Sequence, residues 1–323
     1  MYAIILDDFG GPEKMRWALA PTPEPEEGQV RIKVRAAGLN RADLLQRQGY
    51  YPPPPGESTT MGLEVSGIID AIGPNVDGWQ RGDEVVALLA GGGYAEYVVV
   101  PAGQVIRPPA NVDLVSAAGL MEVAATVVSN MDHVHLSAGE SILIHGGAGG
   151  IGSFAIQYAK ALGCRVLATC SAGKMDYVRS LGADEVIDYR SDWVEQVRSS
   201  TSGVDVILDI IGAKYLSDNV KALGYDGRIV IIGMQKGTKG ELNIAALLNK
   251  RGTITATSLR GRDHADKARI TQRVAKIVWP MIEQGTIQLA KEQRFDIREV
   301  SQAHELMASG DLVGKIILTI PEA

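Results

Sequence analysis

Ser141–Ala161 reads SILIHGGAGGIGSFAIQYAKA, and the fold of the chain turns on it. Ile142-Leu143-Ile144 is an apolar run of strand length. Glycines follow at 146, 147, 149, 150 and 152, and Ile151, Phe154, Ala155, Tyr158, Ala159 and Leu162 then recur at helical spacing. A strand, a glycine loop and a helix in that order form the first half of a dinucleotide-binding unit. The glycines let bare N–H groups approach a pyrophosphate, and the helix N-terminus adds roughly half a positive charge toward that anion. The register is Gly146-x-x-Gly149-x-x-Gly152 rather than the more common G-x-G-x-x-G.

Beyond this stretch, strand-like runs at Arg165–Thr169, Glu185–Ile187, Val204–Asp209, Arg228–Ile232 and Thr253–Thr257 alternate with helical segments near 173–181, 191–199, 214–223 and 243–249. Such alternation predicts a parallel sheet with right-handed crossovers and a ligand at the carboxyl ends of its strands. Those ends are Gly146–Gly152, Thr169–Lys174, Ile211-Gly212, Gly233-Met234 and Ser258-Leu259. Units that prefer NAD place an Asp or Glu about 20 residues past the glycines, on the ribose hydroxyl. Here the second strand ends LATCSAGK, Leu167 to Lys174, with no acid before Asp176. Ser171 and Lys174 instead put a donor and a cation where a 2′-phosphate would lie, and Lys suits that anion as a point charge. Tyr189 is placed to stack on adenine or to donate to the same phosphate. The reading is NADP (NADPH) over NAD.

Residues 1–110 read as mostly β, with runs at Tyr2–Leu6, Gln29–Ala36, Glu64–Ile72, Glu84–Leu88 and Tyr94–Val100 between Pro, Gly and Asn/Asp turns. Tyr50-Tyr51 precede four prolines, Pro52 to Pro55, in a stiff loop that either lines a cleft or packs a surface corner. Val112–Met131 and Asp263–Gln284 read as helical, as does Val300–Ala308, and Lys315–Ile320 as a strand. The tail matches the first part of the chain in style and is expected to return to it. A length of 323 residues exceeds what one core sustains, so two domains are expected.

No apolar run approaches the roughly 20 residues of a membrane span. The start, MYAIILDDFGG, carries acids where a signal peptide carries Lys or Arg. A soluble, cytoplasmic protein is expected, and a net charge of −6 argues against a nucleic-acid partner. Cys164 and Cys170 flank one strand, roughly 20 Å apart when extended, beyond the about 7 Å a disulfide allows. They read as small apolar residues, and no metal site is expected. Of the five histidines, His145 abuts the glycine loop, and none is read as a catalytic acid. Arg260 and Arg262 read either as partner contacts or as solvated.

Asn40-Arg41-Ala42-Asp43, Gly62-Leu63-Glu64-Val65-Ser66-Gly67, Gly82-Asp83-Glu84-Val85, Gly92-Gly93-Tyr94-Ala95-Glu96-Tyr97 and His145–Gly152, in that order, resemble the zinc-free medium-chain reductases. The likeness is to NADPH:quinone oxidoreductases, including the p53-inducible branch, and runs from residue 1 to about 320. It implies an α/β protein with a GroES-like β-rich catalytic domain (1–122 and 264–323) and a doubly wound, parallel-sheet Rossmann domain (123–263). It also implies a homodimer or a dimer of dimers. Asn40 and Leu63 stand where zinc-dependent relatives have Cys and His. The resemblance assigns Gly149, Gly150 and Ile151, within the loop from Gly146 to Gly152, to the pyrophosphate. Ser171, Lys174 and Tyr189 go to the 2′-phosphate and Thr126 to the nicotinamide, with Asn219, Gly233, Met234, Leu259 and Lys315 in nearby loops. Asn40 and Tyr51 are placed by the substrate carbonyl. Family members often carry Ser or another small polar residue where Gly149 stands.

The activity this implies is delivery of reducing equivalents from NADPH to a quinone or another conjugated carbonyl. A quinone needs little beyond a hydride donor at about 3–3.5 Å and hydrogen-bond donors for the developing oxyanion. The alternative on the same fold is an alkenal or enoyl double-bond reductase. A different class, an NADPH-occupied binding or RNA-binding protein, is disfavoured by the net acidity and the lack of a basic stripe.

Overall fold

The computed structural model describes residues 1–321, and the chain divides into two compact units. The first holds Met1–Ala125, Leu259–Gly285 and the tail from Leu289; the second holds Thr126–Ser258 and Thr286–Gln288. In chain order the elements begin with β1 (Tyr2–Leu6), β2 (Met15–Leu19), β3 (Gln29–Leu39), α1 (Arg41–Arg47) and β4 (Glu64–Ile72). Next come β5 (Glu84–Leu88), β6 (Tyr97–Pro101), β7 (Val105–Ile106), α2 (Leu114–Ala117) and α3 (Met121–His133). The middle of the chain adds β8 (Ser141–His145), α4 (Gly150–Ala161), β9 (Arg165–Cys170), α5 (Met175–Ser180), β10 (Glu185–Asp188) and α6 (Trp193–Thr201). It continues with β11 (Val204–Asp209), α7 (Leu216–Ala222), β12 (Leu223–Ile231), α8 (Ile244–Asn249) and β13 (Thr253–Ala256). The remainder is α9 (His264–Glu283), β14 (Glu292–Asp296), α10 (Val300–Ser309) and β15 (Lys315–Thr319). Among the described residues no helix is long and apolar enough to cross a membrane.

In the second unit six parallel strands run in the order β10-β9-β8-β11-β12-β13. Strands covered on both faces read as continuous apolar runs, and Ile142, Leu143, Ile144, Val206, Ile207 and Leu208 are all fully buried. The chain leaves β8 in one direction to β9 and β10 and resumes on its other side with β11. That reversal opens a crevice at the carboxyl ends of β8 and β11. β13 is the outer strand of this sheet.

The first unit is built on a seven-stranded sheet in the order β14-β15-β3-β4-β5-β7, with β6 also paired to β3. Its pairs are antiparallel apart from β14 with β15. Val30, Ile32 and Val34 alternate inward along β3, as a half-covered strand requires, and join Ile69, Val85 and Ile316 in one core. The tail strand β15 pairs β3 through Ile317↔Gly38 and Leu318↔Ala37.

The structure corrects several expectations. The helix expected over Val112–Met131 is two helices, because Asp113 caps α2 by accepting from the Val115 and Ser116 amides and the chain breaks at Gly119. A Cβ at Gly119 would lie 2.7 Å from Ile317 Cδ1 and 3.0 Å from Lys315 Cγ, so a side chain there would have to displace these two β15 side chains. The strand expected over Tyr94–Val100 starts at Tyr97, Tyr94 being a fully buried turn residue. α1, β2, β7 and β14 lie outside the runs expected from the sequence.

Candidate active site and nucleotide site

The glycine loop sits between β8 and α4. Gly146 adopts a left-handed φ of 73° that turns the chain out of the strand. A Cβ at Gly152 would lie 2.2 Å from the Gly146 carbonyl oxygen, so the first turn of α4 can press onto the loop only with glycine there. Gly149 is the N-cap, and no side chain caps α4, which leaves the first-turn amides of Gly150 and Ile151 without a capping side chain. A Cβ at Gly149 would meet nothing nearer than 3.6 Å, so the absence of a serine there is not forced by packing. This cradle fits a pyrophosphate.

Behind the loop lies a closed polar chain. Thr169 Oγ1 donates to His145 Nδ1 (3.0 Å), His145 Nε2 to Asn219 Oδ1 (2.8 Å), and Asn219 Nδ2 to Asp209 Oδ2 (3.0 Å). Asp209 Oδ1 accepts from the Ile211 and Gly212 amides. Burial pushes His145 down to about 4, so the ring is neutral and braces the ends of β8, β9 and β11. Trp193 and Tyr215 meet its ring edge-on at 5.0 and 4.9 Å. Asn219 is itself fully buried, so its place is in this brace behind the loop.

Ser171 and Lys174 follow β9, the Lys174 amide donating to the Ser171 carbonyl (2.9 Å). The Tyr189 amide donates to the Cys170 carbonyl (3.1 Å), which sets Tyr189 beside Ser171 at the same end of the sheet. Arg190, which sequence reasoning missed, is exposed there, its guanidinium 5.5 Å from the centre of the Tyr189 ring. No acid lies in the Ser171–Lys174 turn, so this end suits an additional phosphate. Thr126 is buried, its carbonyl accepting from Asn130 Nδ2 (2.7 Å). Gly233 and exposed Met234 follow β12, where the Lys236 amide donates to the Ile211 carbonyl (2.8 Å).

In the first unit, α1 starts at Asn40, whose amide N–H donates to Asp43 Oδ2 (2.8 Å), half of a capping box. Tyr94 Oη and the Gly62 amide also donate to Asp43, at 3.0 and 3.2 Å. Burial still raises the Asp43 carboxyl to about 6 against these bonds. Lys315 Nζ donates to Asn40 Oδ1 (2.7 Å) and pairs with Glu64 Oε1 (2.5 Å), while Asn40 Nδ2 donates to the same Glu64 oxygen (2.9 Å). The other Glu64 oxygen accepts from the Glu122 amide at 2.9 Å. Burial first, then Glu64 and Asp43, raise the Glu122 carboxyl to about 8, against Lys315 and Arg260. The amide of Asn40 is thus taken up by Lys315 and Glu64. Two of the three Lys315 ammonium hydrogens have partners among the described residues.

Arg260 is neither solvated nor turned outward: it is 4% exposed. Its Nε donates to the Ala90 carbonyl (2.7 Å), Nη1 to the Tyr51 carbonyl (3.0 Å) and Nη2 to Gln46 Oε1 (2.8 Å). Its guanidinium lies 5.1 Å from the centre of the half-buried Tyr51 ring. Leu259, just before it, is buried. Arg262 pairs with Asp266 at 2.5 Å. Among the described residues no three His, Cys, Asp or Glu side chains are grouped so as to hold a metal ion.

A β-rich unit from both ends of the chain and a six-stranded nucleotide unit between them make the architecture of the medium-chain dehydrogenases and reductases. Residues 26–110 match the alcohol dehydrogenase GroES-like domain, and residues 150–276 match the zinc-binding dehydrogenase family. Quinone oxidoreductase from Lama guanicoe is 33% identical over 330 residues, covering 99% of this chain and 98% of that protein. The crystal structure of Escherichia coli quinone oxidoreductase complexed with NADPH superposes with a TM-score of 0.90 at 28% identity, over 99% of this chain and 100% of that one. CurK enoyl reductase superposes with a TM-score of 0.87 at 26% identity, over 99% of both chains. The chain belongs to the quinone oxidoreductase family of medium-chain reductases.

Proposed function

We propose that the protein reduces a quinone with NADPH and without a metal. The observation that supports this is the acid-free turn after β9, in which the Lys174 amide donates to the Ser171 carbonyl while the Tyr189 amide donates to the Cys170 carbonyl beside it; we read Ser171, Lys174 and Tyr189 as the holders of a 2′-phosphate. It is supported by the full-length likeness to quinone oxidoreductases. When bound, NADPH supplies hydride. The amides of Gly150 and Ile151 hold the pyrophosphate, with Gly149, whose own amide donates to the Gly146 carbonyl (3.1 Å), as the N-cap beside it, and Thr126, Gly233 and Met234 line the remainder of the nucleotide path in this unit. Asn219 acts through His145 by keeping the loop in place. The chain itself contributes binding, orientation and a donor to the acceptor oxygen.

Tyr51 is that donor in our reading. Its phenol sits on a loop stiffened by Pro52 to Pro55. Asn40, with its amide spent on Lys315 and Glu64, orients the cluster behind it. Replacing Tyr51 by Phe should lower turnover by one donor, about 1–3 kcal/mol, and leave NADPH affinity unchanged. The likeness to an enoyl reductase favours a second reading, reduction of an activated double bond. A screen of NADPH oxidation against quinones, diamide, alkenals and enoyl thioesters decides between them: quinones fastest supports the proposal, enoyl thioesters fastest replaces it.

The protein is further proposed to be cytoplasmic, to bind neither nucleic acid nor membrane, and to form a homodimer or a dimer of dimers. Exposed sheet edges invite pairing, and β13 is the outer strand of the nucleotide sheet. Light scattering at micromolar concentration should give twice or four times the chain mass; a monomer would refute this.

A further inference from the structure

The loop from Tyr50 to Thr60 is tied down at four points. The Tyr50 amide donates to the Leu45 carbonyl (2.8 Å), and Gln46 Nε2 donates to the Thr59 carbonyl (2.9 Å). The Gly92 amide donates to the Thr60 carbonyl (2.7 Å). The fourth tie comes from Arg260, 209 residues away in sequence, which reaches the Tyr51 carbonyl and, through Gln46, the far end of the loop as well.

A staple of this kind needs hydrogen-bond donors but no charge. Burying a charge is costly unless it is paired, yet every acceptor bonded to Arg260 is neutral: two backbone carbonyls and an amide oxygen. Asp43, Glu122 and Glu57 act on the guanidinium only through space. What the cation touches besides those acceptors is the face of Tyr51. A cation over a phenol stabilises electron density drawn onto the ring, which strengthens the hydrogen bond the phenol donates to an oxygen gaining negative charge.

We infer that Arg260 is a positioning residue for the electron acceptor, acting through Tyr51: it locks the 50–60 loop and faces the phenol with buried positive charge. The inference rests on the reading of Tyr51 as the group that holds the acceptor oxygen. Lysine in its place keeps the charge but loses the fork that reaches three acceptors, and methionine loses both.

The test compares Arg260→Lys and Arg260→Met, each alone and with Tyr51→Phe, using NADPH and a simple naphthoquinone. In the Tyr51 background Arg260→Met should lower kcat/KM for the quinone about 10- to 100-fold, with Arg260→Lys between it and the parent. The NADPH dissociation constant should stay within about twofold, since the loop carries no nucleotide contact in this reading. In the Tyr51→Phe background the same substitution should cost less than about threefold, because residues that act as a unit are not additive. Equal losses in both backgrounds, or a matching loss of NADPH affinity, would overturn the inference. Hydrogen exchange of the 50–60 amides, measured without substrate, separates the inference from the quinone reading: faster exchange in both variants supports the lock, and unchanged exchange overturns it. A parent enzyme that turns over no quinone rejects the quinone reading, and the exchange result still decides the role of Arg260.

Discussion

Lys315 Nζ lies 2.7 Å from Asn40 Oδ1, joining residues 275 positions apart at the start of α1. The same ammonium pairs with Glu64, with side chains 6% and 0% exposed. A buried pair contributes little net stability, but removing one partner strands the other. Lys315→Met should therefore lower unfolding stability by about 3–5 kcal/mol. The double variant Lys315→Met/Glu64→Gln should recover much of the loss. Urea unfolding of the four forms measures this, and additive losses would contradict it.

Glu122 is held at about 8 by burial and by Glu64 and Asp43, against an ordinary 4.5. An acid raised in the folded state gives stability that is present below 4.5 and lost as pH rises through about 8. Glu122→Gln should match the parent near pH 5 and exceed it by about 2 kcal/mol near pH 9. Parallel stability curves across that range would argue against it.

His304 shifts the other way. It is fully buried, edge-on to Tyr94 at 6.1 Å, and burial together with the Arg47 cation pushes it down to about 3. A base depressed in the folded state gives stability that is present above the ordinary 6.5 and lost as pH falls toward 3. His304→Phe should flatten that acid-side loss by about 2–4 kcal/mol between pH 7 and pH 4. Thermal melts across the window check it.

The nucleotide unit was legible because its signals are local. A strand, a glycine loop and a helix lie within Ser141–Ala161, and the missing acid lies in one turn, Leu167 to Lys174. The buried polar cluster around Lys315 was not, because Asn40, Glu64, Glu122 and Lys315 meet only through the pairing of β15 with β3 and the break before α3. Arg260 was misread because its neighbours Gly261, Arg262, Asp263 and His264 are polar, and nothing local marks it as buried. α1 did carry a signal, Asn40 three residues before Asp43, but it was hidden between strand-like runs.

At the nucleotide site, Lys174→Ala should weaken NADPH binding by the worth of one charge-assisted contact, about 1.5–3 kcal/mol. NADH, which has no 2′-phosphate, should be unaffected. Fluorescence titration with both nucleotides measures the difference, and equal losses would place Lys174 elsewhere.

The central claim is that NADPH drives quinone reduction here. Its most direct measurement is kcat/KM for a quinone acceptor with NADPH and with NADH under the same conditions. Turnover should favour NADPH by roughly 10- to 100-fold. Equal use of NADH, or no quinone turnover where an enoyl thioester is reduced, would contradict it.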